Sequence, residues 1–433
     1  MTQTFRRVAI LGGSRIPFAR HNTAYVDASN VQMYAAALDG LAARFGLVGQ
    51  RVDEVVGGAV LKHSRDANVA REALLSSSLA ADTPAYDVQQ ACATSLQASW
   101  NLCNKIATGQ IDVGIAGGVD SASDAPVSLN ERLRLLLLKL RRAKGGLARI
   151  KILAGIRPSM LIPAVPSVHE ARTGLSMGEH CEIMVKQWSI SREAQDQLAL
   201  ASHQNSARAY AEGFHEDLLT PFRGLVRDNN LRGDSTLEQL AALKPAFDKS
   251  SGRGTLTAGN STPLTDGAAC VLLASPAWAQ DRGFTPLAYF VDAQSAAVRY
   301  FGPAPEGLLM APAYAVPRLL QRHGLTLQDF DYYEIHEAFA GQVLCTLKAW
   351  EDPAYCRDQL GLSDALGAID RSKLNVNGSS LGYGHPFAAT GARIVAAAAK
   401  QLYLHRQRTG QSARCLISIC AAGGLGTVAI LEG

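Results

Sequence analysis

Apolar and polar positions along the chain follow two rhythms, one of strands and one of helices, and the order of those rhythms repeats. Val8–Leu11 is a short apolar run directly after Arg6 and Arg7, which predicts a strand. Arg51–Val60 (RVDEVVGGAV) has a second strand pattern. Tyr86-Asp87-Val88 leads into a turn carrying Cys92; beyond it Leu96, Trp100, Cys103 and Ala107 recur at helical spacing, and Ile111–Val119 reads as a strand. The second half runs through the same series. Gln328–Phe339 (QDFDYYEIHEAF) stands in place of the first strand, and Leu374-Asn375-Val376 leads to a turn carrying His385. Thr390–Leu404 then predicts an alanine-rich helix and Cys415–Cys420 a strand. A strand–turn–helix–strand unit used twice predicts a duplicated α/β domain with pseudo-twofold symmetry.

The expected halves are residues 1–275 and 286–433. They are joined through Ala274–Pro286 (ASPAWAQDRGFTP), where proline, glycine and charge mark a connector. Residues 122–250 break the α/β rhythm and predict an inserted lobe of helices and loops. Within it, Glu131–Arg157 holds nine Lys/Arg against one acidic residue, together with the run Leu135–Leu138. That is a basic amphipathic hairpin. It reads either as a solvated helix pair over a core or as a surface for an anionic membrane or a partner subunit.

Composition narrows the class. A chain of 433 residues with 47% hydrophobic and 18% charged residues builds more than one packed unit and is not disordered. The net charge of +4 makes no electrostatic case for nucleic acid, although a mild positive excess suits an anionic ligand. The eight cysteines form no C-x-x-C pair and no zinc spacing, so no metal site is expected, and reduced thiols in a cytoplasm are. The N-terminal apolar run is too short for a signal peptide. No stretch approaches the ~20 apolar residues of a membrane span.

Candidate chemistry sits at strand ends. Cys92, in Gln89–Leu96 (QQACATSL), follows a strand at the mouth of a helix, where amides and the macrodipole favour a thiolate. His385 lies in the tight turn Gly382–Pro386 (GYGHP). Cys420 ends a strand and opens Ala421–Gly426 (AAGGLG), a loop able to present backbone N–H groups to an oxyanion. His336 lies in HEAFAGQ, at the end of another strand. The repeat brings all four to strand ends facing one cleft, where open α/β sheets hold their ligands.

In this order, QQACATS, HEAF, Gly384-His385-Pro386 and Cys420-Ala421-Ala422-Gly423-Gly424 resemble the motifs of the thiolase family. Gly254–Ala269 (GTLTAGNSTPLTDGAA) is similar to the loop that family members lay against the pantetheine arm of coenzyme A. The resemblance spans the chain. It implies an α/β fold of the thiolase type, a duplicated α-β-α-β-α five-layer arrangement with an inserted loop lobe. It further implies Cys92 as the nucleophile that carries the acyl group, Cys420 as acid/base, and His385 as the group that activates Cys92 and donates to the thioester oxygen. The backbone N–H groups of Cys92 and Ala422 would form an oxyanion site. Ala258, Thr262 and Met177 would contact coenzyme A, a substrate rather than a cofactor.

Three departures refine the expectation. His336 stands where most thiolases have asparagine, Ala388 replaces the usual glycine after the G-H-P-x turn, and Ala422 replaces a glycine in the last motif. Together with Phe387 and the basic hairpin these resemble β subunits of fatty-acid oxidation multienzyme complexes. The implied reaction is thiolytic cleavage of 3-ketoacyl-CoA, with a homodimer or dimer of dimers and an α-type partner subunit carrying hydratase and dehydrogenase activities. A biosynthetic acetyl-CoA C-acetyltransferase and a non-catalytic acyl-CoA-binding scaffold are the alternatives. A decarboxylative ketosynthase fits less well, because its third catalytic group is a histidine where this chain has Cys420.

Overall fold

The computed structural model describes residues 5–433. Strand order explains why the two halves read alike. The first half supplies β1 (Val8–Arg15), β2 (Ala19–Arg20), β3 (Glu54–Gly57), β4 (Ala85–Asp87), β5 (Val113–Asp120) and β6 (Thr265–Ala274). The second supplies β7 (Ala288–Ala297), β8 (Tyr332–Ile335), β9 (Arg414–Ala421) and β10 (Leu425–Glu432). The order is β4-β3-β5-β6-β1-β7-β10-β9-β8, with β2 paired to β6 off this path. From the centre outwards each half repeats one scheme. Its first strand pairs antiparallel with its last, the last antiparallel with the one before, and that one in parallel with the next. β1 and β7 meet antiparallel at the middle, Val8 opposite Phe290 and Ile10 opposite Ala288. The duplication is a palindrome.

Helices fill the layers. The first half carries α1 (Asn30–Arg44), α2 (Val69–Leu75) and α3 (Thr94–Ala107). The lobe carries α4 (Glu131–Arg142), α5 (Gly146–Leu153), α6 (Met177–Gln187), α7 (Arg192–Ala211) and α8 (Leu237–Ala241). α9 (Pro276–Asp281) follows, then α10 (Ala311–His323), α11 (Ala340–Glu351), α12 (Pro353–Asp358), α13 (Ser380–Tyr383) and α14 (Thr390–Thr409). β6 shows how the layers arise from a strand's period of two. Ala269, Val271 and Leu273 join a central core with α3 and α14, while Cys270 and Leu272 join an outer core with α1 and α2. In the second half Ile417 and Ile419 face the central core and Leu416 the outer one with α10 and α11. Sheets buried on both faces produce the near-continuous apolar runs seen in the sequence.

The central helices approach closely where their N-termini cross. A Cβ on Gly391 would stand 2.4 Å from the Leu96 backbone nitrogen and 2.9 Å from Ser95 Oγ. The Ala392 N–H donates to that Ser95 Oγ at 2.8 Å. This contact joins the Cys92 half to the His385 half.

Three local expectations change. Leu374-Asn375-Val376 is not a strand; Leu374 makes one bridge to Tyr333. Asn375 then turns the chain at φ 46, and its side-chain amide bonds the Ile335 N–H and C=O, both at 2.9 Å, in place of a ladder. The connector contains α9, capped by Ser275 Oγ accepting from Trp278 N. Finally, α4 and α5 pack against each other rather than over a core: α4 buries Leu133 alone and α5 buries nothing. No helix among the described residues is long and apolar enough to cross a membrane.

Candidate active site

Cys92 is placed by a strained turn. Ala91 adopts φ 47, a left-handed conformation costly for a residue with a Cβ. Thr94 holds the turn shut, its Oγ1 donating to Ala91 O (2.7 Å) and accepting from Gln90 N (2.9 Å). The thiol is partly buried just before α3, and its sulfur receives the N–H groups of Ala422 and of Cys92 itself. Helix-entrance amides favour a thiolate, and burial works against them. Burial pushes the thiol up to about 12, outweighing both amides. The resting group is therefore a thiol.

The second half supplies the partners. Gly384, at φ 103, turns the chain where a Cβ would meet Thr265 Cγ2 at 2.8 Å. His385 N donates to Thr265 Oγ1 (3.1 Å), and its Nδ1 lies 2.6 Å from Thr390 Oγ1. Burial, helped by the Arg393 charge, pushes this imidazole down to about 3. His336, fully buried, lies 2.8 Å through Nδ1 from Ser380 Oγ, and burial first, with the neighbouring His385 and Arg393, holds its imidazole well below the usual range. The two rings stand 4.1 Å apart at 48°, and neither Nε2 has a partner. One nitrogen from each ring and the Cys92 sulfur lie within 4.8 Å of one another. Cys420 is buried and close enough to feel Cys92; burial and that neighbour push its thiol well above the ordinary range. Four reactive groups thus converge uncharged.

Both alanines fit. Ala422 is not among the residues of positive φ; Gly423 (φ 78) and Gly424 (φ 72) take the left-handed turn instead, so the Ala422 N–H is aimed without strain. Ala388 is buried and donates its N–H to Asp120 Oδ2 at 2.8 Å. Space there is made by Gly118, whose Cβ would stand 2.2 Å from Ala388 O.

The expected coenzyme A residues separate. Thr262 lies beside the HEAF segment, but spends its N–H (3.1 Å) and hydroxyl (3.0 Å) on Ala338 O. Its loop bridges Phe339 through Ser261 and His385 through Leu264. Ala258 is exposed, and Met177 packs beside the outer core that contains Phe339.

Other residues carry the site without a motif. Glu170, from the lobe, accepts from Gly423 N (2.7 Å) and from Tyr300 Oη (2.8 Å), clamping the loop that presents Ala422. Asp120 accepts from Val60 N, Leu61 N and Ala388 N, tying the two halves; burial pushes its carboxyl up to about 7. Arg393, buried on α14, donates to Ser380 Oγ at 3.0 Å. Glu337 accepts from Ser202 Oγ of α7, Asn375 Nδ2 and Leu381 N, so the lobe braces the catalytic loops.

Cys92, His336 and His385 have the spacing of a three-ligand metal set. Their surroundings have the opposite polarity. Arg393, buried and donating to Ser380 Oγ at 3.0 Å beneath His336, repels a cation there. The arrangement suits developing negative charge.

Comparison with known proteins agrees with this geometry. Residues 8–277 match the family model described as thiolase, N-terminal domain, and residues 284–433 match thiolase, C-terminal domain. The chain belongs to the thiolase family. This thiolase is 41% identical to a 3-ketoacyl-CoA thiolase of Yersinia pestis (strain Pestoides F) over 438 aligned positions, covering 100% of the chain and 98% of that protein. The same values hold for a 3-ketoacyl-CoA thiolase of Yersinia pseudotuberculosis serotype O:1b. The crystal structure of the Bacillus anthracis acetyl-CoA acetyltransferase superposes with a TM-score of 0.79 at 30% identity, covering 100% of both chains.

Proposed function

We propose that this thiolase cleaves 3-ketoacyl-CoA with coenzyme A, giving acetyl-CoA and a shortened acyl-CoA in fatty-acid β-oxidation. The observation that carries the reading is the convergence, from two halves, of one thiol with two neutral imidazoles and a second thiol. Full-length likeness to 3-ketoacyl-CoA thiolases supports the substrate class. Coenzyme A acts as a substrate, and no other cofactor enters the steps.

The Cys92 sulfur attacks the C3 carbonyl while its proton passes to His385, whose depressed basicity holds it neutral until that moment. The tetrahedral oxyanion is held by the N–H groups of Cys92 and Ala422. The C2–C3 bond then breaks, leaving the acyl group on Cys92 as a thioester and the two-carbon fragment as an enolate of its CoA thioester. His336 and His385 face the enolate oxygen, and Cys420 gives its proton to C2. The Cys420 thiolate next takes the proton of an incoming coenzyme A thiol. Coenzyme A attacks the Cys92 thioester, and the Cys92 sulfur leaves with the proton held by His385. Each group returns to its starting state. The coenzyme A arm is assigned to the 254–269 loop and Met177, with Ala258 and Thr262 beside it.

The halves are taken as 1–275 and 286–433 around the 122–250 lobe, the chain as cytoplasmic, and the assembly as a homodimer or dimer of dimers with an α-type partner. On the lobe, α4 and α5 expose Leu135, Leu137, Leu147, Ile150 and Leu153 among their arginines and lysines, a surface suited to an anionic membrane or that partner. Likeness to an acetyl-CoA acetyltransferase favours a second reading, acetoacetyl-CoA formation. Thiolysis assays on 3-ketoacyl-CoAs from short to long chains separate the two. Activity confined to acetoacetyl-CoA overturns the degradative reading, and no thiolysis at any length overturns both.

A further inference from the structure

Two imidazoles at 4.1 Å raise the question of how the site tells them apart. The answer lies below His336. Its Nδ1 is 2.8 Å from Ser380 Oγ, and the same oxygen lies 3.0 Å from Arg393 Nη2. A guanidinium can only donate, so Arg393 occupies a lone pair of Ser380. The hydroxyl has one proton, and the acceptor left within reach is His336 Nδ1. With Nδ1 accepting, a neutral His336 must carry its hydrogen on Nε2. That is the nitrogen without a partner, and the ring is fully buried. Arg393 is itself buried, with Ser379 Oγ as a second contact at 3.4 Å; burial opposes its charge, and the nearby Glu334 and Glu337 favour it.

We infer that Arg393 and Ser380 form a positioning relay that locks His336 in the Nε2–H tautomer, making it a hydrogen-bond donor to the enolate oxygen and never a base. Proton abstraction is left to His385 and Cys420. The inference rests on the proposed thiolase reaction and assigns within it a division of labour between the histidines.

The test combines nitrogen-15 NMR of selectively labelled histidine in the full-length enzyme, with His336→Asn used to assign the signal, and steady-state thiolysis. The wild type should show His336 as Nε2–H. Ser380→Ala should admit the Nδ1–H form and lower kcat about 100-fold, the loss expected for a mis-set oxyanion donor, with KM within about threefold. Ser380→Thr, which keeps the hydroxyl, should restore both. Arg393→Lys keeps a cation but loses the fork and should show the same tautomer mixing, which covers the case of an unstable Ser380→Ala. An Nδ1–H tautomer in the wild type, or wild-type turnover in Ser380→Ala, overturns the relay. Absence of any wild-type acyl adduct on Cys92 instead overturns the thiolase mechanism, and the NMR reading stands apart from it.

Discussion

Replacing Gly391 by alanine tests whether the crossing of α3 and α14 sets the catalytic geometry. The added Cβ would lie 2.4 Å from Leu96 N, 2.9 Å from Ser95 Oγ and 3.0 Å from Leu96 Cβ. Ordinary contact needs about 1 Å more, and the nearest neighbour is backbone, so the helices themselves must part. Overpacking of this kind costs about 1–3 kcal/mol. With an unfolding entropy of about 2.1 cal/mol/K per residue, a chain this long should lose only about 1–3 °C in Tm. Turnover should suffer far more. α3 carries Cys92 at its entrance and α14 begins five residues after His385, and a displacement of about 1 Å between reacting groups costs about 100-fold. The assay is thiolysis kcat beside a thermal melt, with acyl-enzyme on Cys92 followed by mass spectrometry. A folded Gly391→Ala variant with wild-type kcat would refute the reasoning.

Cys92→Ala should still bind acyl-CoA but form no covalent acyl-enzyme; an acyl adduct persisting by mass spectrometry contradicts the nucleophile assignment. Glu170→Ala frees the Gly423 N–H and loosens the loop that aims Ala422, so kcat should fall about tenfold or more while KM changes little; an unchanged kcat means the clamp is idle. Arg15 pairs with Asp228 at 2.6 and 2.8 Å, both buried, so Arg15→Met strands a carboxylate and should cost about 3–5 kcal/mol in urea unfolding at neutral pH. Arg15 holds the Asp228 pKa below the ordinary value. In the native chain the stability from that shift is therefore complete above about pH 4 and lost as pH falls below it. In the variant the Asp228 pKa rises, so the deficit should shrink on mild acidification, and a pH-independent deficit would count against the pair.

Much of this was legible in the chain itself. The repeated unit showed because strands buried on both faces leave apolar runs, and Cys92, His336, His385 and Cys420 stood out together, at strand ends and in motifs ordered as in thiolases. What was not legible depends on distance along the chain. Glu170 reaches Gly423 across 253 residues, and nothing in its neighbourhood marks it. Ser380 and Arg393 look like an ordinary loop serine and helix arginine until folding places them under His336. The protonation of Cys92 escaped for a related reason: local sequence reports the helix entrance, whereas depth of burial is a property of both halves together. Leu374–Val376 had the pattern of a strand, but the Asn375 amide supplies the bonds that a neighbouring strand would have made.

The seam between β1 and β7 has a consequence for how such a molecule can move and be cut. Nucleophile and base come from different halves, but those halves share one continuous sheet and an interlocked helix pair, so no hinge axis runs between them and catalysis proceeds on a rigid frame. The turn at residues 282–285, between α9 and β7, lies outside that pairing, which begins with Leu287 N donating to Ile10 O. A chain nicked there should remain one working enzyme, its halves held by the pairing of Val8 with Phe290 and of Ile10 with Ala288 and by the packed helices.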